Sequence, residues 1–351
     1  MSLQTRSLGS GPDAPQVPCM GLGFGSLSGF YGPAGSPESR LSLLDNAYAA
    51  GLRFWDLADI YGDAEDLVSE WVKRSDPAKR DDVFIATKFG LQRQADGMHR
   101  FRSDPDYVKE ACERSLKRLG VNTIDLYYCH RVDGVTPVER TVEAMVDLKK
   151  QGKIRHLGLS DISASTLRRA HAVHPIAALQ VEYSLFTLDI ESSESDVLQT
   201  ARELGVTVIA FSPIGRGILS GQFTSYTSIP EGDLRRIYPK YAESNFPAIL
   251  KLVKGLESVA SAHSQRAERS VKPAQIALAW LLAQGNDVIP IPGTKSAARI
   301  AEDVAAAAID LTEGELERIR ALAEEAAMGI SGTRYPAAVM ATMCADTPPL
   351  E

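Results

Sequence analysis

Four side chains of different chemistry fall where short apolar runs end. Asp56 and Tyr61 lie five apart in Phe54-Trp55-Asp56-Leu57-Ala58-Asp59-Ile60-Tyr61-Gly62. Lys88 follows Ala86-Thr87, and His130 follows Tyr127-Tyr128-Cys129. A carboxylate, a phenol, an ammonium and an imidazole brought together suit proton donation to a carbonyl. A free phenol, with a pKa of ~10, is a poor acid at neutral pH. A nearby ammonium favours the phenolate. A carboxylate keeps that ammonium charged and oriented, and an imidazole hydrogen-bonds the carbonyl oxygen or assists the proton transfer. Singly, each residue has an ordinary explanation: a turn aspartate, a solvated lysine, a packed tyrosine, a rim histidine. Their joint placement carries the reading.

A second group suits an anion. Ile291-Pro292-Gly293-Thr294-Lys295-Ser296 leads straight into a helical stretch, and helix N-termini attract anions through free N–H groups and the dipole. Lys295 and Arg299 are one helical turn apart and can face the same charge. A plain strand–turn–helix with two solvated cations fits the same residues.

Positioning these groups requires a scaffold of strands and helices. Apolar or β-branched runs occur at 20–25, 52–56, 83–88, 124–130, 154–160, 177–181, 206–212 and 288–292. Helical stretches between them carry start and stop signals. Ser36-Pro37 opens one that Gly51 closes, Asp104-Pro105 opens another that Gly120 ends, and Lys272-Pro273 starts one that Gly285 stops. Thr136 to Glu139 and Thr312 to Glu315 have the spacing of capping boxes. Eight strands alternating with helices predict a (β/α)8 TIM barrel, with the chemistry at the C-terminal ends of the strands. Gly21-Leu22-Gly23-Phe24-Gly25 is glycine-rich, but no helix start follows directly. It reads better as a strand with close backbone approach than as a dinucleotide fingerprint.

The 351 residues are 44% hydrophobic and 24% charged, an ordinary globular composition. A net charge of −7 argues against a nucleic-acid partner. Cys19, Cys112, Cys129 and Cys344 show no CxxC spacing and read as reduced thiols. His171 and His174 fall on an outer helix and read as surface residues, so no metal site is expected. The N-terminus lacks a secretory pattern, and no apolar run reaches the ~18 residues of a membrane helix. The expectation is a cytoplasmic protein without a membrane partner, a monomer or small homo-oligomer. Its single domain would span 1–351, with a core of about 17–326 and a tail over 327–351.

The Asp56/Tyr61 spacing, Thr87-Lys88-Phe89-Gly90 and His130-Arg131-Val132-Asp133 together resemble the aldo-keto reductase family. The resemblance continues through LGLSD at 157–161, LQVEYSLF at 179–186, AFSPIGRGILSG at 210–221 and IPGTKSAARIAED at 291–303. Within the family it is strongest to the broad-specificity branch related to perakine reductase and pyridoxal reductases. It implies reduction of a small-molecule carbonyl substrate with NADPH. Tyr61 would be the general acid, Lys88 and Asp56 would tune it, and His130 would help place the substrate. Ser160, Asp161 and Gln180 would hold the nicotinamide carboxamide, and Phe211 would stack on its ring. Ser212, Pro213, Ile214, Gly215 and Arg216 would line the pyrophosphate, and Gly25 would also contact the cofactor. Gly293, Thr294, Lys295, Ser296 and Arg299 would meet the 2′-phosphate, with Glu302 and Asp303 at the adenine. The chain departs from the family in Leu57 for a common Thr, Phe211 for a frequent Tyr and Asp303 for a usual Asn.

Two other readings of these residues remain open. Lys88 could form a Schiff base, as in class I aldolases. The protein could also be a cofactor-binding auxiliary subunit with slow turnover. The substrate pocket is expected from 131–137, 217–247 and 328–351, with Trp55, Tyr128, Phe24, Phe30 and Tyr31 as an aromatic lining. Tyr226, Tyr238, Tyr241 and Phe246 lie on the long segment, where Arg235, Arg236 and Lys240 would suit an anionic substrate.

Overall fold

The computed structural model describes residues 3–29, 32–94, 99–340 and 342–351. Its sheet has eight strands: β1 (Leu22–Gly23), β2 (Phe54–Asp56), β3 (Phe84–Phe89), β4 (Ile124–Cys129), β5 (Ile154–Ser160), β6 (Ala178–Glu182), β7 (Thr207–Phe211) and β8 (Val288–Pro290). Each pairs in parallel with the next in sequence. The first and last meet as well: Gly21 and Gly23 donate backbone N–H bonds to Pro290 and Pro292, both at 3.0 Å. The sheet is thus a closed (β/α)8 barrel. Closure explains the early glycines. A Cβ on Gly21 would sit 2.8 Å from the Phe54 carbonyl, and one on Gly23 would sit 2.8 Å from that of Ile291.

Strand alternation sorts side chains into two cores. Phe54, Ala86, Leu126, Tyr128, Ala178, Ile209 and Ile289 fill the barrel interior. Their neighbours face the helices, as where Trp55 packs edge-on to Trp71 at 4.6 Å. An N-terminal ribbon, Thr5–Ser7 against Gln16–Pro18, adds Leu8 and Val17 to the interior cluster and closes the bottom. No sequence signal had marked these three-residue strands.

The caps form mostly as expected. Ser36 accepts from the Ser39 N–H at 3.3 Å, Asp104 accepts from Tyr107 at 3.1 Å, and Thr312 and Glu315 make a reciprocal box. Thr136 does not cap its helix. Its N–H and hydroxyl both donate to Asp133, at 2.7 and 2.8 Å, and the helix begins one residue later, with Pro137 in the cap position. Segment 217–247 is not a plain loop. It is a series of short 3-10 turns ending in a 22-residue helix, Phe246–Ala267. No helix among the described residues is long and apolar enough to cross a membrane.

Candidate active site

The strand ends bring the first constellation together. Lys88 on β3 is fully buried, and Asp56 on β2 is 2% exposed. The Lys88 ammonium donates to Asp56 Oδ1 and to the Leu57 carbonyl. The other carboxylate oxygen, Oδ2, accepts from Gln180 Nε2 at 2.7 Å. Burial pushes Asp56 above its ordinary range and Lys88 below its own, and each charge opposes the other's shift. Tyr61, in the turn after β2, has its ring 5.2 Å from Lys88 Nζ. It meets His130 edge-on at 6.0 Å. Burial holds His130 well below 6.5, with the Arg131 and Lys88 charges adding to the effect. Its imidazole is neutral at pH 7. Its buried Nδ1 has no hydrogen-bond partner, so Nε2 is the nitrogen that can serve a ligand.

Tyr61 and His130 open onto a cavity of about 940 Å³ at the C-terminal mouth. That volume lies at the upper end for small-molecule and cofactor sites. From the residues singled out in the sequence, its wall takes Gly25, Asp56, Ser160, Gln180, Phe211, Ser212, Pro213, Ile214, Arg216, Gly293, Thr294, Lys295, Ser296, Arg299, Glu302 and Asp303. A Cβ on Gly25 would have no neighbour closer than Tyr61 Cζ at 4.0 Å. The glycine therefore leaves a bare strip beside the phenol, where a flat ring could lie. Asp161, Ser212 and Arg216 all hold left-handed backbone, with φ near 50°, conformations that cost a non-glycine residue energy and cluster at functional sites.

Three expected site residues stand off the wall. Lys88 is sealed beneath it, so no carbonyl substrate reaches its nitrogen and the Schiff-base reading falls. Gly215 is buried against Phe186 and Ile218. Asp161 turns inward, and its carboxylate pairs with Arg131 at 2.8 Å and Arg334 at 3.8 Å. Arg216 is on the wall but committed. It makes two bonds to Glu182, at 3.0 and 2.9 Å, and a third to the Tyr335 hydroxyl at 2.6 Å. Its charge is neutralised before any pyrophosphate arrives.

The aromatic lining differs from expectation. Phe24 lines the cavity, but Trp55 faces the helices and Tyr128 fills the barrel interior. Phe30 and Tyr31 lie outside the described residues. From the long segment only Tyr238 and Arg235 reach the wall among the residues named for it. Arg235 is held by Asp233 at 2.6 and 2.8 Å, and Arg236 by the Ile229 carbonyl. Lys240 faces Asp189 at 3.7 Å. These cations are already answered within the protein.

The far end of the cavity is built on the helix Ala297–Ala305, entered through Ser296. The Lys295 ammonium donates to the Gly32 and Pro33 carbonyls at 2.9 and 2.7 Å, and burial lowers its pKa. Arg299 donates to Gln222 at 3.1 Å. Asp303 is 6% exposed, and burial, aided by Glu302, pushes it up to about 7. The residues thus present a helix start with two cations, a bare strip at Gly25 and a long cavity joining them, an arrangement that fits an extended dinucleotide phosphate. Among the described residues no cluster of His, Cys, Asp or Glu could hold a metal.

Residues 19–324 match the aldo/keto reductase family. The chain belongs to that family. It is 49% identical to the aldo-keto reductase str7 of Strobilurus tenacellus, with 100% of this chain and 99% of the relative covered. It is 40% identical to an NADP(+) aldo-keto reductase of Schizosaccharomyces pombe over the same shares. The fold superposes on the glycerol dehydrogenase of Gluconobacter oxydans with a TM-score of 0.80 at 26% identity, covering 92% and 95% of the two chains. It superposes on a holo aldo-keto reductase of Bacillus halodurans with a TM-score of 0.73 at 26% identity, covering 91% and 96%.

In this aldo/keto reductase several wall residues had escaped the sequence reading. Leu91, His99 and Phe101 come from an antiparallel ribbon, Leu91–Arg93 with His99–Phe101, that follows β3. Asp96-Gly97 between the two strands is the signal that could have found it. Tyr335, Val339, Thr342 and Met343 come from the C-terminal tail, within the 328–351 segment that the sequence had marked for the pocket. That tail is fastened by Arg334, by an Ile162–Ala345 bridge and by Arg169, which donates to the Thr347 and Pro348 carbonyls.

Proposed function

We propose that the chain reduces small-molecule aldehydes and ketones to alcohols with NADPH, and that Tyr61 gives the proton. The observation that carries this reading is the enclosed Asp56–Lys88 pair, with Tyr61 and His130 on the cavity wall beside it. When bound, the reduced nicotinamide supplies the hydride. Phe211 would stack on that ring, and Ser160 and Gln180 would hold its carboxamide. Gln180 does so through its amide oxygen, because its nitrogen serves Asp56. Gly25 would leave room for the ring beside Tyr61, and Ser212, Pro213 and Ile214 on the wall would flank the pyrophosphate. Thr294, Lys295, Ser296 and Arg299 meet the 2′-phosphate, which is the basis for preferring NADPH to NADH. The NADP(+) label of the S. pombe relative supports that preference.

The protein's own part is placement and proton movement. Neutral His130 donates through Nε2 to the substrate oxygen and polarises the carbonyl. The Tyr61 hydroxyl gives its proton to that oxygen as negative charge develops there. The Lys88 ammonium stabilises the phenolate left behind, and Asp56 with the Leu57 carbonyl keeps that ammonium in place. Solvent at the cavity mouth restores the phenol.

The test is a fluorescence titration with NADPH and NADH, followed by turnover of an aromatic aldehyde, for wild type and Tyr61→Phe. Tyr61→Phe should bind NADPH as wild type does and lose about 10²–10⁴-fold in kcat, the usual contribution of a positioned general acid. Unchanged turnover in that variant refutes the mechanism. NADPH binding without turnover in wild type points to an auxiliary subunit instead.

A further inference from the structure

Asp303 is a carboxyl on the wall of the cavity. It is 6% exposed, and among the described residues no hydrogen bond or ion pair reaches its side chain. Partial desolvation at such a wall makes the ionised carboxylate costly. The neutral form does not carry that cost, and it presents an O–H donor beside a C=O acceptor.

Its position defines what it meets. Arg299 and Asp303, four apart, share one face of the Ala297–Ala305 helix, which Ser296 opens as its cap residue. The anion-binding end of that face is its start. A group two turns further along is the base of a nucleotide whose phosphate sits at Ser296 and Lys295. Adenine shows a donor, its exocyclic amine, next to an acceptor ring nitrogen, the pattern that Asn or Gln reads in two hydrogen bonds. A neutral carboxyl matches that edge in the same way, whereas a carboxylate, which only accepts, matches half of it.

We propose that Asp303 recognises the adenine edge as a neutral carboxyl, so that each cofactor bound above neutral pH takes up one proton. This rests on the dinucleotide reading above. The electrostatics agree in direction: burial raises the Asp303 carboxyl to about 7, Glu302 adds to the rise and Arg299 opposes it. The neighbouring elements add little charge. The helix Pro273–Leu282 carries no charged residue, although its capping Lys272 precedes it, and Gln275 donates to the Glu302 carbonyl oxygen at 2.9 Å. The helix Pro37–Ala49, which also packs here, keeps Arg40 on Asp63 and Asp45 on Trp71 and Arg74. Lys295 is bound to the Gly32 and Pro33 carbonyls.

The experiment measures the NADPH Kd by fluorescence between pH 7 and 9, above the ~6 at which a phosphate monoester takes its second charge. Wild type and Asp303→Asn are compared. Calorimetry of wild type at pH 8, in two buffers of different ionisation enthalpy, counts protons. Affinity in wild type should fall up to about tenfold per pH unit, the limit for one linked proton, with close to one proton taken up at pH 8. Asp303→Asn should bind with a flatter profile and more tightly than wild type at pH 8. Titration of Lys295 would leave the slope unchanged in that variant, so an equal slope in both proteins overturns the proposal. A flat wild-type profile with no proton uptake also overturns it, while NADPH binding itself stands. No NADPH binding by wild type at any pH overturns the dinucleotide reading and this inference with it. The proton count uses wild type alone, so the test survives a variant that fails to fold.

Discussion

Replacing Glu182 by Gln tests the buried charge cluster beneath the cavity wall. Glu182 is 1% exposed. It accepts two bonds from Arg216 at 3.0 and 2.9 Å and lies 3.8 Å from Arg334. Glu182→Gln keeps the shape and removes the charge, which leaves two enclosed guanidinium groups with less compensation. Breaking a buried pair in this way costs about 3–5 kcal/mol. At ~2.1 cal/mol/K of unfolding entropy per residue, that corresponds to a drop of about 4–7 °C in Tm for a chain of this size. The pH dependence follows with a definite sign. Burial alone would raise Glu182, but the charges on Arg216 and Arg334 outweigh it and hold the carboxyl below 4.5. Its stabilisation is therefore present above the unfolded-state value and lost as pH falls through the folded one. Differential scanning calorimetry should show a wide gap between wild type and variant at pH 7, narrowing below pH ~4.5. A Tm change under ~1 °C at pH 7 would refute the reasoning, because by the same entropy it means under ~1 kcal/mol.

Lys295→Ala should weaken NADPH binding about 10- to 150-fold, the equivalent of a charge-assisted hydrogen bond worth about 1.5–3 kcal/mol, and leave NADH nearly unaffected. Titrating both cofactors checks it. Because burial keeps His130 well below 6.5, its imidazole does not change charge between pH ~6 and 8. The pH profile of kcat/KM should then be unaltered in shape by His130→Gln, though lower. Burial pushes all four thiols up, but Cys112 and Cys129 are fully buried and Cys19 nearly so, whereas Cys344 is partly exposed. A disulfide reagent on native protein should label Cys344 first, and counting the released thiolate by absorbance settles it.

The barrel and its tetrad were legible because local pattern and local chemistry coincided. The runs ending at Asp56, Lys88 and His130 are strands by composition, and parallel pairing alone puts their ends on one rim. What could not be read depends on contacts distant in sequence. Arg216 sits in a segment that looks built for phosphate, yet its partner is Glu182, 34 residues earlier. Asp161 follows Ser160 directly, but a positive φ turns it onto Arg131 instead of the cavity. The Trp55 error was avoidable: in a three-residue strand, an inward Asp56 obliges its neighbour to point out. The ribbons at 5–18 and 91–101 have strands too short for periodicity to register.

The seam between β1 and β8 has a consequence for how the chain is made. Gly21 and Gly23 find their hydrogen-bond partners only at Pro290 and Pro292, and the Arg6 guanidinium is held by carbonyls of Leu282, Gly285 and Val288. At ~5–20 residues/s of synthesis, the first strand therefore waits roughly 15–50 s for the last to be translated. Through that interval the nascent sheet keeps two unpaired edges, the kind of surface that templates aggregation. Chaperone demand during translation should be concentrated there, and a ribosome stalled before residue 288 should leave a sticky, open sheet of seven strands.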